Sequence, residues 1–177
     1  MNPTLRRLED EFSRSLRGLT APQTQLHPHR NPARWNICQI TQHLLLTYSS
    51  TTSAIEARMA KGTPTRSRAT LSQLIAQLFV IRLGLLPSRR EAPPAVTPSA
   101  NPAHPHPDGD ALISAFSTAL ATMEELLERA EGHFTSTPCL SHFALGPLNI
   151  AQWRRFHLVH GRHHIRQITA IRREYRL

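Results

Sequence analysis

The chain has 177 residues, 40% of them hydrophobic and 19% charged, which is ordinary usage for one globular domain spanning 1–177 and excludes a disordered, collagen-like or disulfide-dense chain. Two distant cysteines, Cys38 and Cys139, read as reduced thiols of a cytoplasmic protein, and no apolar stretch is long enough to span a membrane. Basic residues number 21 against 12 acidic ones, a net charge of +9, with the excess concentrated after Ser141.

Helical periodicity dominates. Leu5, Leu8, Phe12, Leu16 and Leu19 form one stripe, with Pro3 suited to a first turn and Gly18 to a stop. This is a short amphipathic helix, followed by an irregular proline-containing connection over 20–34. A second helix over 37–60 opens with Asn36 and Gln39, a capping box flanked by Trp35 and Ile40 as a hydrophobic staple. Its core stripe runs through Ile37, Ile40, Leu44, Tyr48, Ile55 and Met59.

Residues 71–86 are more evenly apolar and read as a helix buried on several sides, with Thr70 and Gln73 as its cap. Seven prolines between 87 and 107 make a long crossover without regular structure. The next helix runs from Asp108 or Asp110 to just before Gly132, with Leu112, Phe116, Leu120, Met123, Leu127 and Ala130 as its stripe. A last helix starts at a second capping box, Asn149 with Gln152, flanked by Leu148 and Trp153. No strand pattern competes, so the expected fold is an all-α four-helix bundle with an extra short helix and a proline-rich crossover.

The last helix carries the chemistry. Where its core stripe should continue with aliphatic residues, it has His157, His160 and His164. Residues 160 and 164 lie one turn apart on one face, about 6 Å along the axis. A buried neutral ring is costly unless its nitrogens find partners, and a transition metal supplies one. His43, bordering the core stripe of the second helix, is the candidate third donor. Three protein nitrogens leave coordination positions open, as in a catalytic site. His163 is expected to point away, His157 and Gln167 to support the ligands, and His133 and His142 to border the opening. The histidines of His27-Pro28-His29 and His104-Pro105-His106 are explained by loop composition.

Trp35-Asn36-Ile37-x-Gln39-Ile40-x-x-His43-Leu44 resembles the opening of the second helix in DinB-like proteins, the superfamily that includes YfiT-type thiol transferases. His142-Phe143-Ala144-Leu145-Gly146-Pro147-Leu148 and His157-x-x-His160-x-x-His163-His164-x-x-Gln167 resemble that superfamily's final loop and helix. The resemblance covers nearly the whole chain and points to a less characterised bacterial branch. It implies an up-down-down-up bundle, often a homodimer, with a divalent metal, nickel or zinc, on His43, His160 and His164. The activity it implies is a metal-dependent transferase or hydrolase acting on a small molecule, such as a low-molecular-weight thiol.

Arg154, Arg162 and Arg166 stand either to hold substrate carboxylates or, the plainer assignment, on a solvated surface. The alternative to an enzyme is a non-catalytic bundle that binds metal or ligand for structure or sensing. Nucleic-acid binding by the arginine-rich last helix is disfavoured, because no exposed aromatics interleave the basic residues.

Overall fold

The computed structural model describes residues 1–87, 92–99 and 105–177; His104 lies outside them. In chain order it contains α1 (Pro3–Leu16), α2 (Ala21–Thr24), α3 (Ile37–Ala60), α4 (Leu71–Gln77), α5 (Gly109–Phe134), β1 (Leu140–His142), β2 (Gly146–Leu148) and α6 (Ile150–Tyr175). The helix starts follow from local chemistry. The Asn36 side chain accepts from the Gln39 amide at 2.8 Å and Gln39 reaches back to the Asn36 amide at 3.1 Å, and Asn149 and Gln152 repeat the device. Asn2 caps α1 ahead of Pro3, and Asp108 caps α5 through the Ala111 amide. Each device satisfies amides that the first helical turn otherwise leaves without partners.

The contacts fix the direction of every long helix. Glu124 on α5 accepts from the Asn2 amide, while the Gly109 amide at the start of α5 donates to Leu19 just beyond α1; α1 and α5 are therefore antiparallel. Arg162 pairs with Glu11 and Arg172 donates to the Ser15 carbonyl, so α6 runs parallel to α1. His43 meets His160 and Tyr48 meets His157, so α3 opposes α6. The outcome is the up-down-down-up bundle, and the α3–α5 connection is its crossover. Phe12 stacks on Phe116 at the centre, with Tyr48 edge-on to the same ring. Close approach needs glycine at Gly109, where a Cβ would run into the Leu16 carbonyl oxygen, and a Cβ on Gly161 would force the buried Leu8 methyls, 2.5 Å away, to shift.

Four features differ from the sequence reading. The four packed helices are α1, α3, α5 and α6, so the short first helix belongs to the bundle and the 71–86 segment lies outside it. Leu71 is 74% exposed, and Leu74, Ile75, Leu78, Phe79, Leu83 and Leu85 are also exposed. Val80 alone of the run is fully buried, with Ile81 and Leu86 packed against the core, so most of the apolarity there marks a surface, not burial. After Gln77 the helix widens into one π-helical turn, Leu78–Arg82, in which the Leu83 amide reaches back to the Leu78 carbonyl.

The third difference is a short antiparallel hairpin, β1 with β2, pairing Leu140 with Leu148 ahead of α6. Finally, the described part of the proline-rich crossover contains a 3-10 turn, Pro94–Val96, the connection after α1 contains α2, and α5 continues through Gly132 to Phe134.

Candidate metal centre

His43 sits in the second turn of α3 on its inward side, and His160 and His164 lie one turn apart in the middle of α6. The antiparallel packing of these helices brings the three rings together, all buried. The Nε2 atom of His160 lies 3.2 Å from Nε2 of His43 and 3.1 Å from Nε2 of His164. The three donors lie within 4.8 Å of one another.

The outer nitrogens decide what those inner nitrogens can do. Nδ1 of His43 lies 2.7 Å from the Val96 carbonyl oxygen. A carbonyl only accepts, so Nδ1 carries the proton and Nε2 of the neutral ring is a bare lone pair. Nδ1 of His164 likewise donates to Oε1 of Gln167 at 2.8 Å, an amide orientation consistent with Gln167 Nε2 donating to His163 Nε2 at 3.2 Å. His160 stands between two bare nitrogens and can offer a single proton at Nε2, so at least one Nε2 lone pair of the cluster is left without a donor.

Protonating the rings would relieve that conflict, but burial opposes it. Burial and the neighbouring histidines hold His160 well below its ordinary value, burial and His43 push His164 down to about 3, and burial lowers His43. A divalent cation satisfies all three lone pairs at once. Metal–nitrogen bonds of about 2.0–2.1 Å at tetrahedral or octahedral angles place nitrogens about 2.9–3.4 Å apart, which matches the two short separations. The residues therefore fit a divalent metal.

Aromatic rings shield the cluster. Trp35 lies against His43 with ring centroids 4.9 Å apart, and Phe156 stacks on His160 at 5.3 Å. On the open side is a cavity of about 640 Å³, bordered by the three histidines, by His163 and Gln167, by the Pro94–Val96 turn and by the β1–β2 hairpin. That volume suits a small-molecule ligand.

The chain matches the sequence profile of the DinB superfamily over residues 4–168. The chain belongs to the DinB superfamily. No curated protein and no solved structure matches it significantly.

The other candidates of this DinB chain separate clearly. Gln167 holds a ring nitrogen of the cluster, as the sequence reading expected, and His142 borders the cavity, its Nδ1 accepting from the Ala144 and Leu145 amides. His133 is exposed and away from the cavity. His163, expected to point away, lines the cavity and is lowered by burial and by Arg166. Arg154 is not a surface arginine: it is buried, with its Nε donating to Glu124 at 3.0 Å and its guanidinium also paired with Glu131. Trp35, Val96 and Phe156 were not foreseen at the site. The Trp35 signal was absorbed by the staple, and a backbone carbonyl such as Val96 leaves no trace in side-chain identity.

His157 does not reach the cluster's donor set. It is fully buried among Tyr48, Trp153 and Phe156, and neither ring nitrogen has a hydrogen-bond partner among the described residues. Burial pushes it down to about 3. The unfolded chain takes up this proton near pH 6.5 and the folded chain only near pH 3. Its contribution is thus fully present above pH 6.5 and is lost as pH falls towards 3, at up to about 1.4 kcal/mol per pH unit. Urea unfolding of the metal-free protein at pH 7, 6, 5 and 4 should show this loss reduced by that slope in His157→Phe. Parallel profiles for the two proteins would refute the assignment.

Proposed function

We propose that the protein is a metal-dependent transferase or hydrolase acting on a small molecule, with transfer of a thiol as its reaction and zinc or nickel on His43, His160 and His164. The single observation that carries this reading is the pair of short Nε2 contacts on His160, with the outer two rings fixed as bare donors by Val96 and Gln167. When bound, such an ion lowers the pKa of a coordinated thiol or water and supplies a nucleophile at neutral pH.

The protein's own contribution is positioning and exclusion. Val96 and Gln167 keep the Nδ1 protons in place and so aim the Nε2 lone pairs inward, while Trp35 and Phe156 keep water from the rings. His163 presents a neutral ring at the cavity, its Nε2 held by the Gln167 amide. The adjoining cavity favours turnover over a purely structural metal, which needs no space beside it.

Equilibrium dialysis of tag-free protein against zinc and nickel should give about one equivalent per chain. Less than about one tenth of an equivalent would sink the reading. Free Cys38 and Cys139 support a reducing, cytoplasmic setting.

The homodimer belongs to the same proposal. Supporting it is the exposed row Leu71, Leu74, Ile75 and Leu78, at helical spacing, continued by Leu83 and Leu85. Sedimentation equilibrium should return a dimer that Leu74→Glu with Leu78→Glu converts to monomer. A monomeric native protein would remove this part of the proposal.

A further inference from the structure

We propose that the cavity takes an uncharged, mainly apolar molecule that brings one donor to the histidine cluster, an aryl or alkyl thiol being the simplest case, and that it discriminates against thiols carrying a carboxylate elsewhere. This inference rests on the metal-centre reading above and narrows its substrate class.

The first ground is where the arginines go. Four of the seven arginines after Ser141 are engaged away from the cavity. Arg154 is buried against Glu124 and Glu131, and Arg162 holds Glu11 through two nitrogens. Arg155 Nε donates to the Ile81 carbonyl, and Arg172 donates to the carbonyls of Ser15 and Arg17. Among the described residues no Lys, Arg, Asp or Glu lines the cavity; Arg89 and Arg90 lie outside them.

The second ground is the wall itself. Trp35, Phe79, Val80, Leu145, Trp153 and Phe156 line it with large apolar side chains. Two of its hydroxyls are turned onto their own helix: Thr47 donates to the His43 carbonyl and Thr51 to the Thr47 carbonyl.

The third ground is charge. Val96 and Gln167 take the Nδ1 protons of His43 and His164, so the Nε2 atoms of these rings face the cluster as uncharged donors. A divalent ion on three neutral nitrogens attracts one anionic donor. A second anion farther out would leave water with no cation among the described residues to meet it, and a buried unpaired carboxylate is strongly disfavoured.

The test uses the full chain loaded with zinc and two probes with the same reacting group, phenylmethanethiol and 4-(sulfanylmethyl)benzoate, the second adding only a distal carboxylate. Isothermal titration calorimetry should show the neutral thiol binding at least about tenfold more tightly. Equal or tighter binding of the benzoate, or no binding of phenylmethanethiol to protein that has taken up zinc, would overturn the inference while leaving the metal centre standing. Failure to take up zinc would instead remove the metal centre, and the inference with it.

Discussion

Loading the metal-free protein with zinc or nickel should raise its Tm by about 8–16 °C, and His160→Ala should abolish the shift. The size follows from linkage: free metal at about a thousand times its Kd contributes about 4 kcal/mol to the folded state. For a chain of this length each kcal/mol corresponds to about 2–4 °C. His160 is the critical position because its Nε2 is the atom within 3.2 Å of both other donors.

His43→Ala and His164→Ala should each remove most of the shift. Gln167→Ala should retain a metal-dependent shift but need about 10–100-fold more metal, the usual consequence of releasing a ligand's outer nitrogen. Differential scanning calorimetry across a metal titration reads all four variants. A shift in His160→Ala equal to that of the native chain would show that the metal binds elsewhere, for example at the loop histidines.

The parts of this structure that could be read from sequence are those encoded by side chains close in the chain. Asn36 with Gln39 and Asn149 with Gln152 announce two helix starts because each box closes within one turn. The stripe from Leu112 to Ala130 announces the buried face of α5, and every member of it is buried. His160, His164 and Gln167 share one face of α6, so their grouping follows from helical geometry alone.

What lay beyond reach depends on distant partners. The apolar run after Leu71 carries no signal to separate a buried helix from an exposed apolar face, since both satisfy the same hydropathy. Three-residue strands at 140–142 and 146–148 are too short for alternation to register. His163 was expected to point outward because helical projection ignores the crossover and hairpin, which extend the cavity around it. The Val96 carbonyl, which orients His43, belongs to a turn 53 residues away from it.

Arg154 is the sharpest case of a residue whose role is set from far away, and it leads to a second large effect. In sequence it sits among the basic residues of α6. In the fold its Nε lies 3.0 Å from Glu124, 30 residues away, and both side chains are almost wholly buried. The other Glu124 oxygen accepts from the Asn2 amide, so the pair ties α6 and the start of α1 to α5.

Removing the guanidinium leaves a carboxylate in a dry site with one amide as partner. Arg154→Ala should therefore cost about 3–5 kcal/mol, the usual penalty for breaking a buried ion pair. At about 2–4 °C per kcal/mol that lowers Tm by about 6–20 °C. Glu131→Gln should cost less than about 1 kcal/mol, because that partner is half exposed and screened by water.

The double variant Arg154→Met with Glu124→Leu should recover most of the loss, since replacing both charges with apolar groups removes the unpaired carboxylate along with its partner. Urea unfolding of the singles and the double measures the coupling directly. An Arg154→Ala protein within about 1 kcal/mol of the native chain would mean that water reaches Glu124 and that the pair is not sealed in the core. Metal stoichiometry should be unchanged in all of these variants, because neither Arg154 nor Glu124 borders the cavity or touches the three histidines.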